Sequence, residues 1–184
     1  MGKIVVGMTV SLDGFVNDRH GSVDRLYPDF AEIAQSDIMR EAIETTGAVV
    51  MGRRAYEMGG GDFTGYEFQV PIFVLTHHVP ERVAAGENDR LRFTFVTDGV
   101  ERAVAAAKTA AGEKDVTVVG GASTVRQCIA AGLADELHLD IMPVLLGGGL
   151  RLFEHLGGAP VELERIGVME VASGRTALRF RVVR

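Results

Sequence analysis

The chain has 184 residues, 47% of them hydrophobic, and a net charge of −6, which is enough for one well-buried core and short for two domains. Its acidity, with a pI near 5.4, argues against a general nucleic-acid or anionic-membrane surface, because both attract basic proteins; any anionic ligand must be held locally. One cysteine, Cys128, excludes an intramolecular disulfide and fits the reducing cytoplasm, and no apolar run reaches a membrane span or a signal-peptide core.

A single domain over residues 1–184 is expected, with apolar β-rich runs alternating with helical patterns in an α/β order. Ile4 to Val10 reads as the first strand. Asp29 to Thr45 carries Phe30, Ile33, Ala34, Ile38, Ala42 and Ile43 near one stripe of helical period and predicts one amphipathic helix. Gly47 to Met51 is a short buried strand, Gly52 a permissive junction, and Arg53 to Met58 a helix. Gly59 to Gly65 reads as a surface loop.

Strands follow at Ile72 to Thr76 and at Phe93 to Thr97. Asp98, with Glu101 three positions on, has the residues of an N-cap for the alanine-rich helix Val100 to Ala111. Val116 to Val119 returns as a strand, Thr124 to Ala131 as a helix and Glu136 to Met142 as a strand. Cys128 shares a helical face with Val125 and reads as core. Val161 to Val171 and Thr176 to Val183 flank Ala172 to Arg175 as an antiparallel hairpin at the sheet edge. The predicted α/β fold is a three-layer one: a mixed, mostly parallel sheet with helices on both faces and a C-terminal hairpin.

The segment Val116 to Val125 joins a β-branched run to Gly120 and Gly121 and then to a helix start at Ala122 and Ser123. Adjacent glycines let backbone N–H groups approach a phosphate, and a helix start adds unpaired amides and partial positive charge. The segment reads either as a diphosphate site or as a tight turn with no ligand. His77 and His78 are adjacent in extended chain and point to opposite faces, which disfavours a shared metal ion; no metal is expected.

Five segments in order, Ser11-Leu-Asp-Gly-Phe15, Val50-Met-Gly-Arg-Arg-Ala-Tyr-Glu57, Val74-Leu-Thr-His-His-Val-Pro80, Val118-Val-Gly-Gly-Ala-Ser123 and Pro143-Val-Leu-Leu-Gly-Gly-Gly149, resemble the dihydrofolate-reductase-like superfamily. The similarity is strongest to the branch of the riboflavin-biosynthesis reductase (RibD C-terminal) domain. The resemblance implies an NADPH-dependent reductase acting on a small-molecule substrate, built without the GxGxxG of a classical dinucleotide fold, and a homodimer. Carried over residue by residue, it implies cofactor contacts from Gly52, Arg53 and, with less support, Arg54. Thr76 and His77 would serve the adenosine phosphate, and Gly120, Gly121, Ala122 and Ser123 the diphosphate. A cis peptide between the paired glycines is also a feature of such relatives.

For the reacting end the same resemblance puts Asp13 at the substrate and nicotinamide pocket, where a carboxylate could favour a protonated C=N; an Asp-Gly turn is the other reading. Asp24, Asp37 and Gly148 are further substrate-side candidates, with a loop acid, a solvated helix acid and plain loop flexibility as their alternatives. The chain has no tryptophan, a departure from dihydrofolate reductases, and its single cysteine cannot furnish a deaminase zinc site. A stand-alone reductase of a pterin-like, pyrimidine-like or other conjugated C=N or C=O compound is expected. A noncatalytic NADPH-binding, dimerising protein is the alternative.

Overall fold

Short β-branched runs with little polar interruption dominate the middle of this chain, and they assemble into the centre of one sheet. The computed structural model describes residues 2–158 and 160–183; Met1, Ala159 and Arg184 of the expected 1–184 domain lie outside the described residues. The strands are β1 (Ile4–Ser11), β2 (Thr46–Gly52), β3 (Ile72–Leu75), β4 (Phe93–Val96), β5 (Asp115–Val118), β6 (Glu136–Met142), β7 (Leu163–Glu170) and β8 (Thr176–Val182). Their spatial order is β4-β3-β2-β5-β1-β6-β8-β7. The six from β4 to β6 pair in parallel, and β8 runs antiparallel to both β6 and β7. The fold is dihydrofolate-reductase-like, mixed and mostly parallel, with helices around the sheet.

Helices α4 (Val100–Ala111) and α5 (Ala122–Ala130) cover one face. Their small apolar stripe, Ala103, Val104, Ala107, Val125 and Cys128, packs on Val6, Val50, Val116 and Val118 in the main core. Alanine-rich helices can approach such a sheet closely, because little side chain stands between the backbones. Cys128 is wholly buried, and burial pushes its thiol up to about 12, so it behaves as an inert core side chain. A second cluster, Val49, Met51, Tyr56, Phe63, Phe68, Ile72, Val74 and Leu91, fills the other side of β2 and β3.

Three local readings change. The expected helix over 29–45 is broken into α1 (Phe30–Ala34) and α2 (Asp37–Thr45). Ser36 divides them: its Oγ donates to the Ile33 carbonyl at 2.7 Å and accepts from Met39 N–H at 3.2 Å, ending one helix and capping the next. At α4 the cap is not Asp98 but Gly99, at φ 99°, with no side-chain cap; Asp98 instead accepts from the Thr97 hydroxyl at 3.2 Å. The loop after α3 (Arg53–Met58) is not all surface. Phe63 within it is buried and stacks on Tyr56 at 5.5 Å.

The hairpin turn holds the least expected group. Arg175 is 1% exposed and pairs with Asp29, itself 0% exposed at the side chain. Its guanidinium donates to Asp29 at 3.0 and 2.6 Å, to the Thr9 hydroxyl at 3.1 Å and to the Leu26 carbonyl at 2.9 Å, and it lies 5.6 Å over the Tyr27 ring. Arg175 holds the Asp29 carboxyl below the usual range. Removing one partner of such a pair leaves a charge stranded in low dielectric. Arg175→Met is expected to cost about 3–5 kcal/mol in urea unfolding, and adding Asp29→Leu should recover part of it. Because the folded Asp29 value is depressed, its contribution is present above the ordinary aspartate pKa and lost as pH falls through the lower folded value. The pH dependence of the unfolding midpoint checks this.

Candidate functional site

The carboxyl ends of parallel β1, β2, β3 and β5 all face one way, so the segments that leave them gather at one edge of the sheet. Such an edge is where open parallel sheets bind ligands. Two of these segments are held together through their backbones. Gly52 N–H, at the end of β2, donates to the Gly120 carbonyl at 2.7 Å, and Val119 N–H donates to the Val50 carbonyl at 3.0 Å. A Cβ on Gly52 would stand 2.5 Å from Thr124 Oγ1 and 3.2 Å from Gly121 N, so only glycine allows this approach. The Gly120–Gly121 peptide is cis.

Helix α5 starts at this junction with Gly121 as its N-cap and no side chain capping it. Its first amides are therefore available to an anion, and the helix dipole favours negative charge there. A Cβ on Gly121 would meet nothing within 4 Å; the space before these amides is open. Ser123 is exposed and accepts from Gln127 at 3.1 Å. Positive charge comes from the first turn of α3. Arg53 is already paired with Glu57 at 2.7 Å, whereas Arg54 has no carboxylate partner among the described residues.

The Thr76 hydroxyl is engaged locally, donating to the His78 carbonyl at 2.9 Å and accepting from His78 N–H at 3.3 Å, which shapes the turn that leaves His77 exposed. Gly52, Arg53, Arg54, Thr76, His77, Gly120, Gly121, Ala122 and Ser123 all line one continuous groove of about 1910 Å³. The structure brings the whole expected cofactor set together.

The groove continues across β1 at Gly7, Met8 and Thr9 into a region of different chemistry. It is lined there by Tyr27, Phe30, Met51, Tyr66, Glu67 and Phe68 and by Asp140, Arg175 and Arg179. Burial raises the pKa of both tyrosines, Tyr27 beside Thr9 and Arg175, and Tyr66 near Glu67. It also raises the Glu67 carboxyl. His138, on β6, is driven down by burial and by Arg179. Among the described residues no group of three or more His, Cys, Asp and Glu is placed to hold a metal ion.

The four expected substrate-side residues are not among those lining the groove. Asp13 accepts from the Ser11 hydroxyl at 2.6 Å and from the N–H groups of Leu146 and Gly147 at 3.1 and 2.8 Å. These bonds lower its carboxyl to about 2, because they reward the ionised form. Asp24 is an exposed residue of the 3-10 turn Asp24–Leu26. Asp37 is 91% exposed at the side chain and paired with Arg40 at 2.9 Å. Gly148 packs against the Arg19 side chain, and Gly149 against the Asn17 carbonyl, so the close approach of this loop is to the chain's own residues 17–19. Sequence reasoning did not single out Tyr27, Tyr66 and Glu67, which line the groove. In the sequence Tyr27 stands before Pro28, and Tyr66 and Glu67 follow Gly65, with no periodicity or motif to single them out.

The family model for the RibD C-terminal domain matches residues 2–176. The uncharacterized protein YyaP of Bacillus subtilis is 29% identical over 156 residues, covering 82% of this chain and 80% of the relative. Among solved structures, a protein named for riboflavin biosynthesis from Shewanella sp. PV-4 matches at a TM-score of 0.76 and 25% identity, covering 99% of both chains. Dihydrofolate reductase of Enterococcus faecalis, solved with NADP(H), matches at a TM-score of 0.68 and 17% identity, covering 100% of this chain and 98% of that one.

The bonds of Asp13 set an expectation for its replacement. Asp13→Ala should release the loop around Leu146 and Gly147, seen as faster amide hydrogen exchange there with the β1 core unchanged. In the unmutated chain that tie persists as pH falls through the ordinary aspartate range and is lost only toward about 2, since a depressed carboxylate contributes above its folded value. Loss of protection already near the ordinary aspartate pKa would contradict this.

Proposed function

The chain belongs to the RibD C-terminal domain family, and on that premise we propose that it is an NADPH-dependent reductase of a small conjugated C=N or C=O compound, pterin- or pyrimidine-like. The observation that carries the reading is one groove with two chemistries: an amide- and arginine-lined cradle at one end and an aromatic pocket at the other. The cradle suits a dinucleotide diphosphate in sign, with an open approach at Gly121 and an uncapped helix start. A reduced nicotinamide, when bound, supplies the hydride.

The chain's own part is positioning. Ala122 and Ser123 amides hold the diphosphate, Arg54 and Arg53 with His77 hold the additional phosphate, and a guanidinium fork suits that group. Gly7, where a Cβ would meet only the Val118 carbonyl at 3.9 Å, leaves room beside Met8 in the groove. Tyr27, Tyr66 and Phe68 flank the substrate ring and keep water from the reacting carbon. Asp13 acts in this reading as a positioning residue, ordering the Leu146–Gly149 loop against Asn17, and Asn17 itself lines the groove.

A homodimer in the cytoplasm belongs to the same proposal. No helix among the described residues is long and apolar enough to cross a membrane. Strand β7 is one of the two outer strands of the sheet, with Leu163, Ile166, Val168 and Met169 each at least 38% exposed, and such an edge invites pairing. Light scattering on the unmutated chain should give twice the chain mass, and Val168→Lys should shift it toward one.

Cofactor titration by fluorescence at one fixed salt concentration tests the central claim, since phosphate contacts at exposed cations weaken with screening. NADPH should bind more tightly than NADH. Arg54→Ala should erode that preference by about tenfold, more than Arg53→Ala, whose side chain is already neutralised by Glu57. Ser123→Asp should lower NADPH affinity by a similar factor while leaving the ligand-free melting point unchanged or higher, because an acid at a helix N-terminus is favourable by itself. Equal NADPH and NADH affinities in the unmutated chain would remove the assignment.

A further inference from the structure

The wall of the groove that carries Tyr27 and Phe30 is fastened differently from the rest. Among the described residues, the backbone–backbone hydrogen bonds of the 23–35 segment stay between residues 23 and 36. Leu26 N–H donates to the Val23 carbonyl at 2.8 Å, Glu32 and Ile33 N–H to the Asp29 carbonyl at 3.0 and 2.9 Å, and Gln35 N–H to the Glu32 carbonyl at 3.2 Å. The segment is tied to the body by side chains instead. Arg175 donates to the two Asp29 carboxylate oxygens at 3.0 and 2.6 Å and to the Leu26 carbonyl at 2.9 Å, and the Tyr27 hydroxyl interacts with Thr9.

Apolar anchoring of this segment is slight. Helix α1 has no buried residue, Phe30 is 60% exposed, and Leu26 is the buried hydrophobic side chain of the segment. Few buried apolar contacts put a segment at the low-stability end of a structure. Both of its ends are self-contained turns. Before it, Asp18 N–H donates to the Ser22 carbonyl at 2.9 Å, the Asp18 carboxylate accepts from His20 and Ser22 N–H at 2.8 and 2.9 Å, and Gly21 sits at φ 83°. After it, the Ser36 hydroxyl ends α1 and caps α2. Hinges are a few such loop or element-terminal positions, able to absorb a change in φ/ψ while the elements on either side stay intact.

We propose that residues 23–35 form a strap over the substrate end of the groove, that it swings away as a unit about Ser22 and Ser36, and that Arg175 is its latch. Tyr27, Phe30 and Ile33 line the groove, so the closed strap walls that end and the open strap admits a ligand from the side. Arg175 suits a latch because its bonds to Asp29 and Leu26 break together. A half-withdrawn strap leaves a guanidinium and a carboxylate with neither partner nor water, which is costly; a fully open one lets water reach both. The motion therefore has two discrete states and no stable position between them. This inference concerns how the groove is entered, and it stands whatever the groove binds.

Spin labels at Glu32→Cys on the strap and Glu101→Cys on α4, both at exposed positions, report the strap's position as a distance by pulsed electron paramagnetic resonance; Cys128 is buried and takes no label. The labelled chain should show one dominant distance, with a second at about 10% or less. Arg175→Met should make the second distance the majority and Asp29→Asn should raise it severalfold, while β1 and β6 keep their amide-exchange protection. Arg175→Lys, which can meet Asp29 but has no fork to reach Leu26 as well, should fall between Arg175→Met and the unsubstituted latch. An unchanged distance in Arg175→Met, or protection lost equally from the strap, β1 and β6, overturns the proposal. Urea on the labelled chain with its latch intact decides the matter even where Arg175→Met does not fold: the strap should release at concentrations that leave β1 protected, and release only with global unfolding overturns the proposal.

Discussion

The buried pair between Arg175 and Asp29 is the constraint on which the functional end of the molecule depends. A guanidinium at 1% exposure can exist only if its donors are met, and here they are met by groups from distant parts of the chain: a carboxylate before α1, a hydroxyl on β1 and a carbonyl in the 24–26 turn. Satisfying one side chain therefore fixes the hairpin turn, the central strand and the entry to α1 relative to one another. Tyr27, held under the same guanidinium, becomes a wall of the pocket as a consequence. Such pairs contribute specificity of arrangement more surely than net stability, and arrangement is what a pocket needs.

The other end of the groove is organised by backbone rather than by charge. Gly52 and Gly120 bring two strand-to-helix junctions within hydrogen-bonding distance, which aligns the uncapped start of α5 with the arginines of α3. Amides and guanidinium groups are then displayed to one side without being buried. The two ends of the groove are made from different elements: one displays backbone amides and guanidinium groups, the other aromatic rings of the 27–30 and 66–68 segments.

Two carboxyl groups near this groove show how environment decides what an acid does. Asp13 is surrounded by donors and its pKa is lowered to about 2; it is committed to the Leu146–Gly147 backbone. At Glu67 desolvation outweighs the hydrogen bond from its own backbone, and its pKa is raised. Chemically similar groups are thus driven in opposite directions by hydrogen bonding in one place and desolvation in the other.

Much of the fold was legible in the sequence because periodicity and local junction chemistry act over few residues. The strands Ile4–Ser11 and Glu136–Met142, the helix Val100–Ala111 and the hairpin of β7 and β8 follow from runs and periodicities that can be read in place, whereas the gathering of Gly52, Arg53, Arg54 and Gly120 to Ser123 was implied only by the family resemblance. The break at Ser36 was also locally encoded, as a cap residue inside an apolar stripe, but the stripe masked it. What the sequence by itself determined is which segments become strands and helices and where backbone can be approached. What only the tertiary structure decided is which polar side chains are left facing the groove. Asp13 turned to its own loop, Arg175 of a turn became a core residue, and Glu67 was left on an aromatic wall, because hydrogen-bond satisfaction and desolvation depend on neighbours that are remote in sequence and meet only when the sheet closes.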